Sequence, residues 1–381
     1  MFDVEAWRRQ FPIFARLVYI NSCSYGALAA SVKAAMACYL DDRDAQGADW
    51  DKWVAMNEAL RAAYARLLNA DAREIAVTAS ASAGINAVAS ALDFSGPRSK
   101  VVVSDFEFPT AAQIWHAQER RGARVVHAAP AADGTAIPLS AFERLIDGET
   151  ALVCVSHVCY RNGARIDVEE VAKLAHERGA LVMVDSFQAL GTFPIDVKAL
   201  GVDFLIGGAL KYLLGTAGVA LLYVRGKLIE RLVPTASGWF AQADIAAMDI
   251  TANRPSPTAS RFEAGTPPVP SLYGALAGLA IIEKIGPLAI RNHVLALHDE
   301  LIAGLDDLGA HLATPREAAA RGAMLAVKSS DAKALVAALA GEGIITSHRD
   351  GNVRFSPHLY NNADDIAAVI AALHKRRGLL A

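Results

Sequence analysis

Ala180-Leu-Val-Met-Val-Asp185-Ser-Phe-Gln188 and, further on, Asp203-Phe-Leu-Ile-Gly-Gly-Ala-Leu-Lys211-Tyr-Leu-Leu-Gly215 decide the fold. Each begins as a short apolar run of the length of a buried strand. Each then delivers one charged residue: an acid at the end of the first run, an amine just past the second. Runs of the same kind stand at 74–78, 100–104, 124–127, 151–156 and 218–224. Amphipathic stretches separate them, at 83–92, 110–121 and 168–178. In the last of these Val168, Val171, Ala172, Leu174 and Ala175 share a face, while Glu169, Glu170, Lys173 and Arg178 fall mostly on the other. Strand and helix in alternation predict an α/β fold with a large, mostly parallel sheet covered on both faces. Ligands of such sheets bind beyond the carboxyl ends of the strands, where Asp185 and Lys211 are placed.

Downstream the pattern changes. Residues 235–270 collect Pro255, Pro257, Pro267, Pro268 and Pro270 among polar residues and read as loop. Helices are predicted at 271–285 and 287–308, then a small α+β unit from 324 to 374. The domain reading is an N-terminal arm (1–20), a large domain (21–265) and a small C-terminal domain with its linking helix (266–381). Trp50 and Trp53, with Ala55 and Leu60, are spaced for packing on one helix face. Composition is that of a globular enzyme-sized chain: 381 residues, 53% apolar, 20% charged, net charge −3. Mixed charge without a basic field argues against nucleic acid. The longest apolar run, 272–282, is too short for a membrane span, and the opening residues lack the apolar core of a signal peptide. Cys23, Cys38, Cys154 and Cys159 show no metal-ligand spacing. A reduced, cytoplasmic protein is expected.

Three groups carry chemistry. Thr78-Ala-Ser80-Ala81-Ser82-Ala-Gly84 is a strand end, a run of small residues and a helix start, a place where amides and hydroxyls collect an anion; plain capping of the helix by Ser82 is its ordinary reading. Asp185, after four apolar residues, needs a cationic or hydrogen-bonding partner or a capping role. Lys211, set among Gly207, Gly208, Gly215 and Gly218, is by itself an unremarked loop lysine. Together they describe a site for an aldehyde cofactor, pyridoxal 5′-phosphate (PLP). The lysine forms the Schiff base, and the aspartate keeps the pyridine nitrogen protonated so that the ring takes up electrons.

In this combination the chain resembles the class V aminotransferase superfamily of PLP enzymes, from about Asn21 to Asn362. The resemblance implies the aspartate-aminotransferase-type fold and a homodimer with sites shared between subunits. It implies Lys211 as the Schiff-base lysine, Asp185 on the ring nitrogen, Gln188 near the ring hydroxyl, and Ser80, Ala81 and Ser82 around the phosphate. Thr266, in Arg261-Phe-Glu-Ala-Gly-Thr266-Pro, is implied to reach the partner subunit's phosphate. Arg354, in Asn352-Val-Arg-Phe-Ser-Pro, is implied to bind the substrate α-carboxylate, a task suited to a planar bidentate fork.

Within that superfamily, Phe108 stands where cysteine desulfurases carry a ring-stacking histidine. It can stack but transfers no proton. No cysteine follows Cys159, so desulfuration by a persulfide route is disfavoured. Glu107-Phe-Pro-Thr110, Ser156-His-Val-Cys-Tyr-Arg-Asn-Gly163, Lys211-Tyr-Leu-Leu-Gly215, Gly238-Trp-Phe240 and Gly265-Thr-Pro-Pro268 look more like kynureninase, which implies Tyr212 and Trp239 as phosphate neighbours. Leu210 departs from that pattern, which has tyrosine just before the lysine. Ser22, Ser24, Tyr25 and Gly26 match a segment that lines the substrate pocket. Tyr25, His157 and Tyr160 join Arg354 as substrate-binding candidates, although His157 also reads as a structural histidine. His348 and Arg349 reach toward a substrate side chain or stand in a solvated loop. The expected function is that of a transaminase or a carbon–sulfur or carbon–carbon lyase on a small α-amino acid. A kynureninase-like hydrolase and a non-catalytic, regulatory PLP-binding protein are the alternatives.

Overall fold

The β-branched runs form one sheet of seven strands: β1 Ile75–Thr78, β2 Lys100–Ser104, β3 Arg124–Ala128, β4 Thr150–Ser156, β5 Leu181–Asp185, β6 Phe204–Gly208 and β7 Ala220–Val224. This is a computed structural model, and it describes residues 2–381. The spatial order is β1-β7-β6-β5-β4-β2-β3. All neighbours are parallel except β7, which runs antiparallel to both β1 and β6. Side chains alternate between two cores. Val101 and Val103 face the layer of α3 (Ala81–Ala91) and α4 (Pro109–Ala117); Val102 faces the layer of α2 (Trp50–Leu68), α5 (Val168–Glu177) and α6 (Val269–Ile285). Apolar residues on both faces explain why these strands read as continuous runs rather than alternations.

A second core lies beyond α7 (Pro287–Asp307). Strands β8 (Leu325–Lys328), β9 (Ser347–Arg349) and β10 (Asn352–Phe355) form an antiparallel sheet in the order β9-β10-β8. It is covered by α8 (Ala332–Gly341) and α9 (Ala363–Lys375). The segment around His348 is therefore a strand. Asp350 and Gly351 turn it back with positive φ at both positions, the conformation a two-residue hairpin requires.

The N-terminal segment joins the two cores. Val18–Tyr19 pairs in parallel with Ile344–Ile345, Asn21 bridges to Ser356, and Arg8 forms a 2.7 Å ion pair with buried Asp365. Helix α1 (Ala30–Gln46) packs on α6, with only Val32 buried. The expected helix at 110–121 is α-helical to Ala117 and tightens to a 3-10 turn over Gln118–Arg121. Residues 235–268 hold two 3-10 turns, Trp239–Ala241 and Ala259–Phe262, and the helix expected from 271 begins at Val269. Among the described residues, no single helix is long and apolar enough to cross a membrane.

Candidate active site

The carboxyl ends of β4 and β5 place Ser156 and Asp185 side by side in register. Around them opens a cavity of about 260 Å³ lined by Ser80–Ser82, Phe108, Tyr160, Asp185, Phe187, Gln188, Leu210 and Lys211, among others. A single concavity at the strand ends thus gathers the phosphate-turn candidates, the acid and the amine.

Asp185 is buried. Its Oδ1 accepts the Phe187 amide at 2.8 Å. Burial raises its carboxyl above the usual range, while the Phe187 N–H and the Lys211 charge oppose the rise. Lys211 follows β6 at the turn into β7. Burial lowers its amine from 10.5 to about 8; Cys23 and Asp185 resist the shift, and the positive charges of Arg354 and Arg349 add to it. The amine lies 4.6 Å from the Phe187 ring and 5.9 Å from that of Phe108. The Ser24-Tyr25-Gly26 segment closes over this turn, with the Gly26 amide donating to Leu210 O at 2.9 Å. A Cβ on residue 26 would fall 2.3 Å from Lys211 O, so only glycine permits the approach.

The candidate phosphate turn is capped differently from the simplest expectation. Ser80, not Ser82, caps α3, its hydroxyl accepting the Ala83 amide at 3.1 Å. The Ser82 hydroxyl is thereby left for a ligand, and the amides of Ala81 and Ser82 precede the first intrahelical hydrogen bond. Gln188 donates through Nε2 to Cys23 O at 3.0 Å, and its buried Oε1 has no partner among the described residues. An orphaned acceptor in the wall of a cavity that also holds a desolvated amine and a helix start fits a phosphorylated hydroxy-pyridine aldehyde.

Arg354, on β10, is 2% exposed. It donates to Tyr160 O at 2.7 Å, to Ser347 Oγ at 2.8 Å and to Ser24 Oγ at 3.2 Å, and its Nε is unpaired. A buried guanidinium held by neutral acceptors alone retains its full charge for an anion. Tyr160 lines the cavity, its ring edge-on to that of Phe108 at 5.0 Å.

Other candidates lie elsewhere. Ser156 and Val158 line the cavity, and strand alternation turns His157 to the opposite side, against Phe193 and Ser186. There burial, helped by Arg165, pulls the imidazole down to about 3. Tyr212, next to the inward-pointing lysine, points into the core against His358 and does not line the cavity. Tyr25 is exposed, its hydroxyl accepting the Ala217 amide at 2.9 Å. Trp239 packs on Trp50 beside a separate basin, and Thr266 lines a second pocket of about 250 Å³ with Thr78 and Asn86. Within one chain, neither Trp239 nor Thr266 meets the Lys211 cavity.

Two residues carry more than their sequence suggested. Glu107, at the loop after β2, is buried beside Asp185. The Ser104 hydroxyl donates to its Oε1 at 3.3 Å, and its Oε2 has no partner among the described residues. Burial and then the Asp185 charge push it well above the usual carboxyl range, against hydrogen bonds from Ser156 and Ser104. Of the two carboxyls it is the one pushed further toward its protonated form. Arg61, on α2, forms a buried 2.7 Å ion pair with Glu263, which also accepts the Val77 amide at 2.9 Å and so anchors the loop leading to Thr266 against β1. Among the described residues there is no His, Cys, Asp or Glu cluster able to hold a metal ion, and all four cysteines are free.

Comparison with known proteins agrees with this geometry. The sequence model described as aminotransferase class-V matches residues 42–369. An uncharacterized aminotransferase, YcbU, of Bacillus subtilis is 34% identical over 96% of both chains. A kynureninase of Deinococcus radiodurans is 31% identical over 96% of this chain and 91% of its own. The apo structure of a cysteine desulfurase from Thermococcus onnurineus superposes with a TM-score of 0.89 over 99% of both chains at 24% identity, a likeness of fold. The chain belongs to the class V aminotransferase family of PLP-dependent enzymes.

Proposed function

We propose that the chain acts on a small α-amino acid as a transaminase or a carbon–sulfur or carbon–carbon lyase, with Lys211 as the base. The observation that carries this reading is the desolvated Lys211 amine, brought to about 8, in one cavity with Asp185. Such an amine is neutral often enough near neutral pH both to attach an aldehyde and to accept a proton. Bound through Lys211, PLP supplies an electron sink for the pair of electrons left at the substrate α-carbon. Arg354 takes the α-carboxylate. Lys211 Nζ takes the α-proton. Asp185, held by the Phe187 amide, provides the negative charge that favours a protonated ring nitrogen. Ser82 and the first-turn amides of α3 take the phosphate, and Phe108 covers the cavity without a proton to exchange.

A kynureninase-like hydrolase is a second reading, favoured by the Deinococcus relative. Leu210 counts against it, because an apolar side chain lines the cavity where the kynureninase pattern has a phenol. Desulfuration stays within the family's range. This chain offers it no cysteine after Cys159, and Cys23, whose carbonyl accepts from Gln188, is buried. We also infer a homodimer with shared sites, since Thr266 and Trp239 lie away from the Lys211 cavity of their own chain.

The test is to load the purified protein with PLP and mix it with a panel of amino acids that includes kynurenine. The visible band is followed, and pyruvate, other keto acids, ammonia and sulfide are assayed. The expected result is a change in the band with product from a small amino acid. Cofactor uptake without response to any amino acid would leave a PLP-binding protein and refute the enzymatic reading of the site.

A further inference from the structure

Hairpin β9–β10 sets two arginines on the same face. Ser347 is the direct cross-strand partner of Arg354, and Arg349 stands two residues beyond Ser347 on the same strand. Residues two apart on a strand, and residues directly opposite across an antiparallel pair, project to one side. That side is the one from which Arg354 reaches Tyr160 O and Ser24 at the cavity wall. The register therefore sets Arg349 on the cavity side of the hairpin, outside the ring of residues that line the cavity itself.

The two arginines also differ in how they are held. Arg354 is buried and fixed by three acceptors. Arg349 is exposed; its one hydrogen bond is from NH1 to the neighbouring His348 carbonyl at 2.7 Å. The nearest acid in sequence, Asp350, is engaged by Arg161 at 3.1 Å. Among the described residues, Arg349 has no acidic partner.

We propose that Arg349 is a specificity residue and that the substrate is a dicarboxylic amino acid or one with another anionic side chain, its α-carboxylate on Arg354 and its second acid group on Arg349. This rests on the reading of Lys211 and Arg354 given above. The cavity supports it on charge. Apart from Asp185 and Lys211 its lining carries no charged side chain, so no other residue there offers a charged partner to a substrate side chain. A neutral small substrate would leave the second guanidinium unused. An acidic one converts it to a charge-assisted, planar contact.

The test compares ligands that differ by one carboxylate. Succinate and glutarate are titrated against propionate by calorimetry, on unloaded and PLP-loaded protein. Aspartate and glutamate are titrated against alanine by the visible band of the loaded protein. The same titrations are repeated with Arg349→Gln and Arg349→Lys. The dicarboxylates are expected to bind more tightly than propionate. Arg349→Gln is expected to lower their affinity by about tenfold or more, with a much smaller change for propionate and a partial recovery with Lys. Dicarboxylates binding no better than propionate, or an equal loss for both classes in Arg349→Gln, overturns the proposal. The unloaded arm keeps the two ideas separate. If PLP never attaches, the assignment of Lys211 fails, while the comparison of succinate with propionate still decides the role of Arg349.

Discussion

The reactivity of the Lys211 amine has a pH profile that the structure fixes. With the amine at about 8, roughly one molecule in ten is neutral at pH 7; an unperturbed lysine at 10.5 has roughly one in three thousand, so burial raises the reactive fraction about 300-fold. Between pH 7 and pH 9 the neutral fraction of Lys211 rises about tenfold and then levels. That of a surface lysine rises about a hundredfold and keeps climbing. The assay is capture of PLP by cofactor-stripped protein over short times, trapped with borohydride and mapped by peptide mass spectrometry, with surface lysines as internal standards. Asp185→Asn is the perturbation. The Asp185 charge opposes the downward shift of Lys211, so its removal is expected to move the levelling point to lower pH. Capture at position 211 that still climbs beyond pH 10, or a profile that Asp185→Asn moves upward, would refute the argument that desolvation beside that carboxylate sets the amine.

Three further outcomes are expected. Arg354→Ala weakens amino-acid binding to loaded protein by about 2–5 kcal/mol and PLP uptake far less, as read by titrating both ligands; equal losses would make Arg354 structural. For Glu107, the folded state holds a proton that the unfolded chain releases above 4.5, so wild-type stability falls as pH rises past that value and Glu107→Gln is spared the fall. Denaturant melts should therefore show the variant gaining on wild type with rising pH, and a pH-independent difference would mean that Glu107 is ionised. Arg61→Met strands Glu263 in the interior and costs about 3–5 kcal/mol; adding Glu263→Gln should return part of it in the same melts.

The sheet and its active edge were legible because both faces of every central strand are buried, so strands such as Val101-Val-Val103 and Leu181-Val-Met-Val184 stand out as unbroken apolar runs. Asp185 and Lys211 were legible as charges where such runs end. What escaped was direction and contrast. Helix Ala30–Gln46 is alanine-rich with a single buried side chain, so it shows no apolar stripe. Strand Ser347–Arg349 is three polar or half-polar residues long, and only its pairing with Asn352–Phe355 reveals it. Near Lys211 and Ser156, residue type could not say which neighbour faces inward. Tyr212 and His157 point away, whereas Phe187 and Leu210 line the cavity. Glu107 was quoted only as part of a motif. Its signal was a carboxylate three residues past a buried strand, weaker than that of Asp185, which ends its strand.

The clasp between the two ends of the chain sets an order of events during synthesis. The floor of the cavity, from Ser80 to Lys211, emerges from the ribosome well before the hairpin bearing Arg354. The leading segment meanwhile waits for its mates, Arg8 for Asp365 and Val18–Tyr19 for Ile344–Ile345. A nascent polypeptide therefore carries Lys211 before it can clamp a carboxylate, and both the desolvation of that amine and competence for amino acids arrive only when the segment bearing Arg354 and Asp365 folds back onto Arg8 and Val18–Tyr19.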